Sequence, residues 1–145
     1  MALALASMRE AADVEAKRSA TRASDIISDV MWSVELEPEV EAWIGNLPVA
    51  DFAMVVARVE RLAERGNQLR MPASRSLGEG LFELRFDLHR TSQRITYYFG
   101  SGRRIVLLTV FRKQRQNERH EVKRARQAMT RCIDEGHTAD DEEKP

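Results

Sequence analysis

Residues 81–113, LFELRFDLHRTSQRITYYFGSGRRIVLLTVFRK, read as three strands in succession, and this stretch limits the fold more than any other. From Leu81 the period is two, with Phe82, Leu84, Phe86 and Leu88 on one face and Glu83, Arg85 and Asp87 on the other. In the next strand Ile95, Tyr97 and Phe99 alternate with Arg94, Thr96 and Tyr98, and Gly100-Ser101-Gly102 supplies a hairpin turn. Ile105–Phe111 is an almost unbroken apolar run, the pattern of a central strand buried on both faces, and it stops at Arg112-Lys113. The meander puts Arg85 and Arg94 on one face of the sheet, where guanidiniums flanked by aromatic residues suit a phosphate. The plainer reading of Arg85 is an ion pair with Asp87 or Glu83.

Upstream, Trp32, Val34 and Leu36 alternate with Met31, Ser33 and Glu35 as a first strand. Pro38 and the run 39–44 predict a short helix closed by Gly45-Asn46. Phe52, Val55, Val56, Val59, Leu62 and Ala63 recur at spacings of three and four, which predicts a helix from about Pro48 to Arg65 with Gly66 as its stop. The two helices form a hairpin jointed at Leu47-Pro48. Residues 67–80, with a proline and two glycines, read as a loop leading into the sheet. A last helix runs from about Asn117, its N-cap, to Cys132, with Val122, Ala125, Met129 and Ile133 as its apolar stripe.

The expected fold is therefore α+β, with an N-terminal strand and a helix hairpin packed on an antiparallel sheet, followed by a C-terminal helix. Residues 31–133 make one domain. Residues 1–30 are an extension, helical or disordered, and Met31 offers an alternative start of translation. Residues 134–145 are an acidic, disordered tail.

The formal net charge is zero, yet residues 58–131 carry 18 Lys and Arg against 7 Asp and Glu, while both ends are acidic. A basic body attracts polyanions, with an attraction that weakens as salt rises. On the last helix Lys123, Arg124, Arg126 and Arg131 either grip a phosphate backbone or form a solvated face. No apolar run approaches the roughly 20 residues that span a bilayer, so no membrane is expected. One cysteine, Cys132, permits no internal disulfide, and a reducing cytoplasm fits. Cys132 reads as packing. There is no dense cluster of His, Cys and carboxylates for catalytic zinc, and Gly78-Glu79-Gly80 precedes a strand and lacks the lysine of a phosphate loop. No metal or cofactor is expected.

The segment Leu77–Met129, through LGEGLFELRFD, QRITYYF, RRIVLLTVFRKQR and EVKRARQAM, resembles the RelE/HigB toxins of bacterial type II toxin–antitoxin systems, in particular their phage Gp49-like branch. The resemblance covers Met31 to Cys132. It implies a small toxin that cuts mRNA in the ribosomal decoding site and is held inactive by an antitoxin, often a small helix-turn-helix protein that carries the toxin to operator DNA. The implied chemistry is metal-independent attack of a ribose 2′-hydroxyl on the adjacent phosphate, leaving a cyclic phosphate and a 5′-hydroxyl.

Carried over residue by residue, the resemblance gives Arg85 and Arg94 to the scissile phosphate, and Arg112 and Lys113 to the transition state and the backbone. Some relatives use an aromatic residue or histidine at the start of the last helix for proton transfer; here His120 or His89 either takes that part or is an ordinary exposed residue. Arg70, Arg75, Arg115, Arg119, Lys123 and Arg124 are the expected RNA-binding residues. A second reading is that of the ParE toxins, which share the fold, inhibit DNA gyrase by protein contacts and generally lack the basic cluster. A third is an inactive relative that only binds antitoxin or RNA.

Overall fold

A computed structural model describes residues 31–143, the last seven as backbone only. The N-terminal extension expected at 1–30 lies outside the described residues. In chain order the elements are β1 (Ser33–Leu36), α1 (Pro38–Gly45), α2 (Val49–Arg65), β2 (Ser74–Gly78), β3 (Leu81–Leu88), β4 (Thr91–Gly100), β5 (Arg104–Arg112) and α3 (Glu118–Glu143), with one short 3-10 turn at Gly66–Gln68.

One five-stranded sheet organises them in the order β1-β5-β4-β3-β2. β2, β3, β4 and β5 pair antiparallel, but β1 runs parallel to β5 along its outer side, with Val34 opposite Ile105. The sheet is mixed because α1 and α2 carry the chain from one edge back to the other before the meander begins. β5 is thus flanked by strands on both sides, as its unbroken apolar run requires.

The two faces of the sheet bury different amounts. On one, Leu84, Phe86, Ile95, Tyr97, Ile105 and Leu107 pack under α1 and α2, whose Val40, Ile44, Val55, Val56, Val59 and Leu62 close a single large core. On the other, Leu81, Tyr98, Val106 and Leu108 form a small cluster capped by Ala125 of α3. A register shift in β4·β5 sets Thr96 opposite Thr109 and Tyr97 opposite Leu107, which leaves Leu108 as the extra residue. That bulge turns both Leu108 and Thr109 toward the α3 face. There the Thr96 and Thr109 hydroxyls hydrogen-bond at 2.6 Å and satisfy each other in the interior.

Three local readings need correction. The stretch 67–80 is not all loop, because Ser74–Gly78 pairs with β3 and the Glu79-Gly80 turn, both at positive φ, reverses the chain. Buried Ser74 is held there by the Tyr97 hydroxyl, a partner 23 residues away that no local pattern announces. The Asn117 side chain faces backward: its Oδ1 accepts from the Gln114 amide at 2.9 Å and its Nδ2 donates to the Arg112 carbonyl at 2.9 Å. The residue therefore closes the loop after β5, and only its backbone carbonyl serves the helix, accepting from the Glu121 amide. Finally, α3 runs on to Glu143. A single helical glycine such as Gly136 costs only about 1 kcal/mol, so the helix continues past Cys132, where the sequence pattern closed it.

Gly66 ends α2 at φ 54°. A Cβ built there would lie 2.1 Å from Nε1 of Trp32, so both backbone conformation and close packing demand glycine. Gly66→Ala is expected to lower stability by roughly 2 kcal/mol or more. Urea unfolding checks this, and a midpoint equal to that of the wild type would refute it.

Candidate functional site

The α3 face is the one that α3 fails to cover completely, and the strand arginines emerge there. In the β3·β4 ladder Arg85 stands directly opposite Arg94, with Glu83 opposite Thr96 one position along the same face. Like charges on paired positions repel, and the carboxylate of Glu83 lies between them: its Oε1 is 3.8 Å from Nε of Arg94 and 3.8 Å from Nε of Arg85. Glu83 is 1% exposed and Arg94 6%, whereas Arg85 is half-buried.

This triad is unusual in how little it is hydrogen-bonded. Neither oxygen of Glu83 has a hydrogen-bond partner among the described residues, and neither has Nε of Arg94. One attraction of this length is about 4 kcal/mol in a medium of effective dielectric about 20, while burying one ion costs several kcal/mol. Burial wins: it pushes the Glu83 carboxyl above its ordinary value, against the pull of Arg94 and Arg85. Burial likewise lowers Arg94, helped by repulsion from Arg85 and opposed by Glu83. Glu118, in the first turn of α3, lies near enough to push Glu83 up further and to support Arg94.

Two guanidiniums against one carboxylate leave an excess positive charge, and it is accessible from one side. Arg85 and Arg94 line an open cleft of about 720 Å³ between the edge of the sheet, the 71–73 segment and the outer side of α2. Across the cleft stand Arg58 and Arg61 of α2, with Met54 and Met71 beside them. Four guanidiniums around one opening can hold an anion with several negatively charged oxygens, through paired N–H donors in the fork geometry that suits phosphate.

The remaining expected site residues divide. Arg112 stands opposite Gln93, next to Arg94, and the Lys113 amide donates to the Ser92 carbonyl at 2.8 Å. Both thus lie at the end of the sheet where Arg94 stands. Because Phe111 is the residue opposite Arg94, strand alternation directs Arg112 to the other face, and only Lys113 follows the face of the triad. Arg75 pairs with Glu118 at 3.4 Å and borders the site. Arg70, Arg115, Arg119, His120 and Lys123 are exposed.

Arg124 is engaged elsewhere. Its guanidinium bonds Glu39 of α1, meets Glu121 at 2.8 Å and donates to the Val110 carbonyl at 3.3 Å. The hydrogen bond that it donates to Glu39 raises its pKa above the ordinary value. Arg124 therefore fastens α3 to the sheet and to α1. Arg126 does the same at the other edge, donating to the carbonyls of Leu77 and Gly78 at 2.6 and 3.1 Å. His89 meets Asp51 of α2 at 2.8 Å and ties down the two-residue turn that it forms with Arg90, both at positive φ.

A family model for phage-derived Gp49-like proteins (DUF891) matches residues 42–130. The chain belongs to the Gp49-like family. The matched stretch opens in α1 and closes in α3, so all four cleft arginines fall within the family's own domain. No curated protein matches the chain significantly. Among solved structures, a chain of the toxin–antitoxin complex RelBE2 from Mycobacterium tuberculosis is similar at 19% identity and a TM-score of 0.44, over 58% of this chain and 100% of that one.

Sequence reading missed Arg58 and Arg61, because on a helix an arginine without a periodic role looks like solvated surface. It gave Glu83 only as an ion-pair partner. The one available signal was an acidic residue between two apolar ones on the arginine face of a strand.

Glu83 yields a pH test. A folded-state pKa raised above the unfolded value means that the folded protein binds more protons. Its stabilising share is then complete below the ordinary carboxylate value near 4.5 and is lost as pH rises through the folded value. Glutamine does not titrate, so the stability of wild type relative to Glu83→Gln should fall as pH rises above about 4.5 and level off once the folded carboxyl has ionised. Parallel pH curves from urea unfolding would show that Glu83 is not perturbed. Cys132 gives a second test. Burial, chiefly, pushes its thiol up to about 11, and the Tyr98 hydroxyl donates to its Sγ at 3.1 Å. Alkylation of the folded protein near pH 8 should be roughly 100-fold slower than after unfolding in urea.

Proposed function

We propose that this protein is the toxin of a type II toxin–antitoxin pair, acting in the cytoplasm as a ribosome-dependent mRNA endonuclease. The observation that carries the reading is the cross-strand pair Arg85 and Arg94 at the mouth of an open cleft, with the buried Glu83 carboxylate between them. Cleavage by a ribose 2′-hydroxyl forms a bond from that oxygen to phosphorus and breaks the bond to the 5′ oxygen, while negative charge builds on the phosphoryl oxygens. Preset guanidiniums lower that barrier.

In this reading Arg94 and Arg85 bind the scissile phosphate and Lys113 supports the backbone beside it. Arg112, Arg75, Arg115, Arg119, Arg70 and Lys123 form the wider basic surface that meets RNA. Glu83 is a positioning residue: it keeps two repelling guanidiniums side by side and leaves them a net positive charge. His120, exposed in the first turn of α3, is the group offered for proton transfer, an imidazole being well suited to that task near neutral pH. A gyrase inhibitor working through protein contacts has no need of this cluster.

An antitoxin with an acidic segment fits the basic body, and the complex would reach operator DNA through the antitoxin. The test of the activity is primer extension on mRNA from a translating cell-free extract. New 5′ ends should appear with the wild-type chain, require ribosomes, and fall at least 100-fold with Arg94→Ala. Intact mRNA in the presence of folded wild-type protein would reject the reading and direct attention to supercoiling by gyrase.

A further inference from the structure

The cleft has a second cationic wall. Arg85 and Arg94 belong to the sheet, but Arg58 and Arg61 reach the same space from α2, three residues apart and so neighbours on one side of the helix. Neither makes a salt bridge or side-chain hydrogen bond to another described residue, in contrast to Arg124 and Arg126, whose guanidiniums are spent on the fold. Arg61 is exposed and Arg58 half-buried. Two unpaired arginines facing two others across one opening repel, and an anion bound between them relieves that repulsion more directly than salt does. Beside them Met54 and Met71 are 37% and 59% exposed, two polarisable thioethers in a cleft whose one acidic lining residue is Asp87; the Met71 Sδ accepts from Nη1 of Arg85 at 3.1 Å.

We propose that Arg58 and Arg61 form a second phosphate subsite, which takes a backbone phosphate adjacent to the one held by Arg85 and Arg94 on the same single strand of RNA, while Met54 and Met71 offer an apolar surface to the base between them. The proposal rests on the endonuclease reading for which phosphate is cut, but the subsite itself requires only that single-stranded RNA binds. RNA is favoured over an acidic protein segment for two reasons. The cleft is continuous with the guanidinium pair on the sheet, so a strand anchored there must continue over some surface, and sulfur against a flat aromatic ring is a favourable contact for which a carboxylate-rich segment has no use.

The experiment measures binding of a 2′-O-methyl hexanucleotide, which this chemistry cannot cut, by fluorescence anisotropy across a series of salt concentrations. It compares wild type, Arg58→Gln/Arg61→Gln and Arg58→Lys/Arg61→Lys. Both residues lie on the outer side of α2 and Gln keeps the helix propensity, and circular dichroism verifies the fold. The Gln pair should weaken binding roughly tenfold and make the log–log salt slope shallower by about 0.7 for the one phosphate released. The Lys pair should restore the slope and only part of the affinity. Unchanged affinity and slope in the Gln pair would overturn the proposal. It would equally be overturned if that pair lost binding to a poly-glutamate peptide while its RNA affinity stayed at the wild-type value, since the subsite would then belong to an acidic protein partner. Should wild type leave mRNA intact in the extract while the oligonucleotide result holds, the cleavage reading fails and the subsite stands.

Discussion

A sheet has two faces to bury, and this chain carries enough apolar surface for one face and about half of the other. The helix hairpin α1–α2 covers its face completely, from Leu84 and Phe86 to Ile105 and Leu107. α3 covers only the end around Leu81, Tyr98, Val106 and Leu108. The rest of that second face carries Glu83, Arg85, Arg94, Thr96 and Thr109 beside Phe111. Of these polar residues all but Arg85 are buried, so the face holds polar and charged groups out of water and opens to the cleft at Arg85.

The polar groups on that half-covered face solve their burial in two different ways. Thr96 and Thr109 satisfy each other by a direct hydrogen bond, which the Leu108 bulge makes possible. Glu83 is not satisfied in this way: it relies on charge from two guanidiniums that do not hydrogen-bond to it. A buried ionic cluster without hydrogen bonds contributes little to stability, and such a cluster beside an open cleft is where perturbed titration and ligand chemistry tend to coincide. Arg124 and Arg126 differ: they spend their guanidiniums on carboxylates and carbonyls that tie α3 to the sheet, whereas Arg85 and Arg94 bond only the Met71 sulfur and the Gln93 carbonyl.

Much of the architecture was legible along the chain. The stripe Phe52 to Ala63, the alternation in β3 and β4 and the solid run Ile105–Phe111 follow from the periods of helix and strand and from burial on one or two faces. These patterns are local, and so a sequence can display them. β2 was not legible, since the five residues Ser-Arg-Ser-Leu-Gly become a strand only through the neighbouring edge of β3 and the hydroxyl of Tyr97. The parallel pairing of β1 with β5 also depends on a partner distant in sequence.

The site follows the same division. Sequence alone determined that Arg85 and Arg94 share a face, because alternation fixes sides, and that the body of the domain is basic. Only the tertiary structure decided that the two stand opposite each other across one carboxylate, that α2 adds Arg58 and Arg61 to the same cleft, and that Arg124 is withdrawn from it by Glu39. Alternation and periodicity constrain direction but carry no information about distance between segments. Which charges meet is set by strand register and helix packing, and these arise from burying the core as a whole.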